Sequence, residues 1–326
     1  MHLKMKNKAD GSIRECSRVH KQPGVAMTPL RSQGSRLPFR GSSPAIHPGF
    51  LVLPAIALLL IVYVFPLLQL LRLSVSDAGP GVLPGSGFTL SQYAAFFADP
   101  TSQRVIWRSV WVALLTTVIT LLIAFPYATS MVRCGPAMRR ILVCVALLPM
   151  TTSGVVRAYG MIMILGANGP INQALMAMNL ISEPLRILYG PAALIMGNVY
   201  FCLPFVILPL AAGVSKLDQR LFDAATTLGA GRIQVFYTVA LPLLVPAIAA
   251  GSMIAFTLTM TSYITPGLLA GQGYLVITTL LGQKMFELAN WVSGAVVSTV
   301  LLVCVLCLSG LYQSWIEKRS KFYAAR

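Results

Sequence analysis

Six long apolar runs, almost free of charge, constrain this chain more than any other feature. They lie near residues 50–72, 106–128, 141–166, 190–213, 239–262 and 290–314. A run of ~20 apolar residues crosses the ~30 Å hydrocarbon core of a bilayer as a helix, the form in which one segment satisfies its own backbone there. Only 10% of the 326 residues are charged and 56% are hydrophobic, whereas a soluble domain carries about a quarter charged. The fold class expected is therefore all-α, a polytopic membrane protein of six transmembrane helices.

The formal net charge is +16. Such a value can mark a nucleic-acid binder, but here the basic residues sit between the apolar runs and at the two termini, with no aromatic stacking platform beside them. Their distribution follows the rule that Lys and Arg collect on the cytoplasmic side. Nine lie in residues 1–48, three in 129–140 (Arg133, Arg139, Arg140), three in 214–238 (Lys216, Arg220, Arg232) and four after the last run (Lys318, Arg319, Lys321, Arg326), which makes 19 of the 25. The alternate gaps hold only Arg72, Arg104, Arg186 and Lys284. Six spans with both termini cytoplasmic satisfy this count. Residues 1–48 lack the apolar core of a signal peptide and read as a disordered basic tail, with Met27 as an alternative start. Residues 49–316 read as the transmembrane domain, 214–238 as a cytoplasmic loop and 317–326 as a cytoplasmic C-terminal tail.

Several chemistries lack their residues. The three histidines (His2, His20, His47) all precede the first run, and no Asp or Glu falls inside any run. A membrane enzyme needs a nucleophile with a base, or a metal, at bilayer depth, and an ion-coupled carrier generally places ionisable groups or broken helices there. Cys304 and Cys307 are spaced i, i+3, but no second Cys or His pair completes a metal site. No metal and no cofactor are expected. A phosphate-binding Gly-x-x-x-x-Gly-Lys-Ser/Thr loop is also missing, so nucleotide energy would have to come from another polypeptide.

The stretch "LFDAATTLGAGRIQVFYTVALPLL", Leu221 to Leu244, interrupts the apolar pattern. Asp218 is placed to cap a short helix and Gly229 to stop it. Leu221, Ala225 and Leu228 fall on one face at i, i+4, i+7, flanked by Phe222 and Ala224, while Asp223 complements the positive end of the helix dipole. A helix of about ten residues is marginal alone, so its apolar face requires a surface: the lipid interface or a protein.

The spacing Asp223-Ala224-Ala225, three residues, Gly229, nine residues, Val239-Ala240-Leu241-Pro242 resembles the cytoplasmic loop signature of binding-protein-dependent ABC transporter permeases. Asp223 and Val239 stand where Glu and Ile are commonest in that family. The resemblance implies a type I importer permease fold in a bacterial inner membrane. Its coupling helix, formed by Leu221, Phe222, Asp223, Ala224, Ala225 and Leu228, ended by Gly229 and followed by Pro242, would dock on a cytoplasmic ABC ATPase dimer. It also implies a second permease subunit, an extracytoplasmic solute-binding protein and lipid around the spans. "VVRAYGMIMILGANGPIN" (Val155–Asn172) and "TSYITPGLLAGQG" (Thr261–Gly273) are similar to segments of the spermidine/putrescine permease subfamily, with Gly160, Met161 and Ala270 departing from its pattern. That likeness implies polyamine import; another solute such as an opine, a phosphonate or an iron chelate is the alternative, and an ion-coupled secondary transporter the more distant one.

Arg157 is a charge roughly nine residues, or ~13 Å, inside its span. Its insertion costs at least ~2.5–3.5 kcal/mol, so it should face a bundle interior or a wet cavity. It reads either as a pathway residue, with Ser153 and Tyr159 nearby, or as a structural Arg bonded to carbonyls. Asn198, Tyr200, Thr257 and Thr261 are further pathway candidates, against the alternative that they hydrogen-bond between helices.

Overall fold

The computed structural model describes residues 48–77, 87–271 and 273–324, so the basic tail read at 1–48 lies outside it but for Pro48. In chain order the helices are α1 Pro48–Ser74, α2 Ser91–Ala98, α3 Pro100–Arg133, α4 Pro136–Thr151, α5 Gly154–Leu165, α6 Pro170–Ala177, α7 Pro191–Ser215, α8 Gln219–Thr227, α9 Arg232–Val235, α10 Leu241–Thr261, α11 Ile264–Leu269, α12 Ile277–Gly282 and α13 Trp291–Ala324. Two π-helical turns, Phe236–Ala240 and Gln283–Glu287, complete the helical inventory.

Among the described residues, five helical stretches are long and apolar enough to cross a membrane: Ile56–Ser74, Pro100–Arg133, Pro191–Ser215, Ile233–Thr261 and Trp291–Ser314. The run near 141–166, expected as one helix, is two. The polypeptide bends by 103° between α4 and the segment that starts with α5. Thr152 and Ser153 are extended there, and Pro149 in the last turn of α4 has no N–H to continue the ladder. The carbonyls this break releases are not left bare. The Thr151 hydroxyl donates to Leu148, the Thr152 hydroxyl to Pro149, and Arg157 Nη1 donates to Pro149 at 2.9 Å. A second departure concerns the last helix, which continues to Ala324 through the segment expected as a separate tail.

The core is a three-helix packing of α3, α7 and α10. Ala124 and Ala128 of α3 meet Cys202, Val206, Ile207 and Leu210 of α7 and Ala255 of α10, all buried. Small side chains let backbones approach where hydrocarbon supplies no hydrophobic drive. A close approach joins α7 to α10: a Cβ on Gly213 would stand 2.5 Å from the Cβ of Ala247. Polar side chains along these helices fold back on their own backbone. Ser109, Thr117, Thr120 and Thr259 each donate to the carbonyl four residues earlier, which satisfies the hydroxyl without a partner helix. Before α3, Asp99 caps the helix by accepting from the Thr101 and Ser102 N–H groups. These backbone bonds, the Thr101 one foremost, and the Ser102 hydroxyl hold its carboxyl below the usual range.

Gly213→Val should drive α7 from α10, an overpacking change worth about 1–3 kcal/mol, and lower the thermal midpoint of the purified protein in detergent. Gly267→Ala, which meets open space, should leave that midpoint unchanged.

Candidate functional site

The segment between α7 and α10 is built from backbone requirements that its sequence meets one by one. Asp218 Oδ1 accepts from Arg220 N–H at 2.9 Å and opens α8. Leu228 is the C-cap, and Gly229 follows at φ +82°. Gly229 N–H donates to Thr226 and Ala230 N–H to Ala225, at 3.0 and 3.1 Å, the paired closure that satisfies the last carbonyls of a helix. A Cβ on Gly229 would meet nothing within 4 Å. Conformation, not crowding, requires glycine there. After α9, the turn Phe236–Ala240 widens to a π-helix whose Leu241 N–H bonds Phe236. Pro242 offers no N–H to the carbonyl of Thr238, four residues back, and the wider turn makes room for its ring.

This segment displays apolar surface. Leu221 is 47% exposed, Leu228 88%, Ile233 76% and Tyr237 62%. Ala224 and Asp223 are exposed as well, while Phe222 and Ala225 are half-buried. The main packing neighbour of α8 is α9, so the α8 face is held out by its own caps. Ile233 and Tyr237 were missed by the sequence reading, although their i, i+4 spacing signals a shared face.

Within the spans the polar candidates separate into three groups. Arg157 is half-buried, with its guanidinium 4.5 Å from the centroid of the Phe201 ring on α7. Phe201 lies ten residues into α7, about 15 Å along the helix, so the charge sits at mid-depth and is met by a carbonyl dipole and an aromatic face. Phe201 and Pro149 carried no sequence signal as its partners. Asn198 is buried, and with Ser109, Thr259 and Thr278 it lines a small crevice where α3, α7, α10 and α12 meet. Only Asn198 of these four was singled out from sequence. Ser153, Tyr159 and Thr261 are exposed and Tyr200 and Thr257 half-buried. The Thr261 hydroxyl donates to the Thr257 carbonyl, and Ser153 occupies the N-cap position of α5 without a side-chain cap bond.

A family model described as the inner membrane component of binding-protein-dependent transport systems matches residues 114–321, from α3 through the α8 loop into α13. The chain belongs to this family. The permease is 37% identical over 224 residues to the spermidine/putrescine transport system permease protein PotB of Haemophilus influenzae, covering 69% of this chain and 78% of that protein. It is 31% identical to PotB of Escherichia coli K12, over 66% of this chain and 78% of that one. The inner membrane ABC transporter permease protein YdcU of the same organism is 29% identical over 72% and 77% of the two chains. Its fold matches a chain of a bacterial alginate ABC transporter, solved in complex with alginate pentasaccharide-bound periplasmic protein. The TM-score is 0.67 at 17% identity, over 83% of the permease and 94% of that chain. It is a bacterial inner-membrane transport permease.

Arg157→Gln and Phe201→Leu should each lower the thermal midpoint of the permease, and the double variant should lose less than the sum. The coupling expected for a desolvated cation over a ring is about 0.5–2 kcal/mol. Arg157→Lys should recover only part of the loss, since a lysine ammonium lacks the planar stack.

Proposed function

We propose that this protein is the membrane subunit of an ATP-driven, binding-protein-dependent importer of polyamines, and that the α8 loop is its coupling element. The observation that carries this reading is the row of exposed apolar side chains at Leu221, Leu228, Ile233 and Tyr237, set on the Asp223-Ala224-Ala225…Gly229 spacing. A cytoplasmic ATPase dimer covers that row, and small residues at Ala224 and Ala225 admit its close approach. The excess of Lys and Arg in the same loop and at both termini supports a cytoplasmic placement for all three.

ATP is bound and hydrolysed by the partner. Closure of its dimer displaces α8, and the displacement enters the bilayer through the two helices that flank the loop. Because α7 and α10 touch at Gly213 and Ala247, they move as a pair rather than splay. With a second permease subunit, this motion turns a central cavity outward to take solute from a docked extracytoplasmic binding protein, then inward to release it. Differential contact of the ATPase with the two states supplies the free energy.

Polyamine as the solute is supported by the two PotB relatives. No Asp or Glu lies in the spans to hold a cation tightly, which suits a pathway that must release what a separate receptor has recognised. Ser153, Tyr159, Tyr200, Thr257 and Thr261 provide the neutral oxygens and aromatic faces for transit, with Arg157 bracing the α4–α5 break beside them.

Gly229→Val and Asp223→Lys should abolish ATP-dependent uptake of labelled spermidine by the assembled transporter while membrane insertion is kept. Normal uptake by both variants removes the coupling role from α8. Uptake of another solute but not spermidine, with both variants still inactive, keeps the coupling role and removes the polyamine.

A further inference from the structure

Two buried polar atoms of the central bundle have no hydrogen-bond partner: Thr116 Oγ1 on α3 and Asn198 Oδ1 on α7. Their residues are 0% and 1% exposed. The register of their two helices sets them at the same level. Helices α3 and α7 lie side by side, with Val112 clustered against Leu194 at one end and Ala128 against Leu210 at the other. Thr116 is one turn beyond Val112, and Asn198 is one turn beyond Leu194. Val112, Leu194 and Asn198 all line the crevice at the junction of α3, α7, α10 and α12.

The hydroxyls of that crevice are one-sided, and the Asn198 amide N–H groups are the donors beside them. The Ser109 hydroxyl donates to Val105, the Thr259 hydroxyl to Ala255 and the Thr278 hydroxyl to Ser262. Each proton is spent, so the oxygens have only lone pairs to offer, and one lone pair of Ser109 already receives the Ile277 N–H. Asn198 Oδ1 adds another unspent acceptor. Thr116 differs: its hydroxyl is unbonded, so it has a proton to give, whereas Thr117 and Thr120 beside it place theirs on the preceding turn. The crevice encloses the space of about one water-sized sphere, the least that holds a water.

We propose that this junction binds one ordered water molecule, which donates to Asn198 Oδ1 and to a hydroxyl oxygen of the crevice and accepts from the Thr116 hydroxyl. Water both donates and accepts, and so satisfies both orphan atoms together. A dehydrated monovalent cation would suit the lone pairs but would leave the Thr116 proton unplaced. The water joins α3 to α7 and to the oxygens of α10 and α12, a bridge that re-forms in a shifted register more readily than a direct bond. The site stands whatever solute the transporter carries.

The test uses the assembled transporter. In an empty crevice, Asn198→Leu removes an unsatisfied group and leaves stability unchanged or raised. Around a bound water it removes a bond, and the thermal midpoint falls by several degrees. Thr116→Val, close to isosteric, should do the same, and the double variant should be no less stable than the weaker single one, because both remove one bridge. A high-resolution cryo-EM map of the unmutated transporter, which no variant's folding can compromise, should show a single peak among Thr116, Asn198 and Thr259. Its midpoint should not change when sodium or potassium replaces N-methylglucamine at constant ionic strength. Additive or stabilising substitutions, or a map without that peak, overturn the proposal. A midpoint that rises with the small cations overturns the water in favour of an ion.

Discussion

Hydrocarbon offers no hydrogen bond, and this one constraint shapes most of what the permease does with its polar atoms. In the spans most hydroxyls that face the bundle turn back on their own helix, as those of Ser109, Thr117, Thr120 and Thr259 do, with Thr116 the exception. Where the helix itself fails, between α4 and α5, three side chains reach the exposed carbonyls, and one of them is the guanidinium of Arg157. The break and the charge explain each other. Released carbonyls give an intramembrane cation something to bond, and such a cation makes a mid-membrane break tolerable. Phe201 completes the arrangement by setting the face of its ring under the guanidinium carbon.

The α8 segment follows a different rule. Its ends are closed by Asp218 and by the Gly229 turn, so the short helix is formed before anything docks on it. The coupling role proposed for α8 would require such a preformed element, since a disordered loop would absorb a push as conformational entropy. The π turn at Phe236–Ala240 and the Gly213–Ala247 contact then join that element to helices that cannot easily part.

Sequence was most informative where a single residue or a local period decides the structure. The apolar runs could be read because hydropathy sums over neighbours in the chain. Gly229 could be read because few residues accept positive φ. The α4–α5 break could not: "LLPMTTSG" is apolar enough to pass as continuous span, and only the side-chain bonds of Thr151, Thr152 and Arg157 show where the carbonyls are freed. Phe201 could not be found as the partner of Arg157, because aromatic residues are common in these spans and 44 positions separate the two. The grouping of Ser109, Asn198, Thr259 and Thr278 depends on the register of four helices at once, which no local pattern encodes. The exposed pair Ile233 and Tyr237 was legible by spacing and passed over.

The central claim, that the α8 segment is gripped from the cytoplasm by an ATP-hydrolysing partner, is tested most directly by placing one reactive thiol on it. Leu228→Cys, in a protein freed of its native cysteines, should cross-link to the ATPase subunit of the assembled transporter with a yield that changes on ATP binding. Labelling of that thiol by a membrane-impermeant reagent added outside intact cells, with no cross-link to the ATPase, would contradict the account.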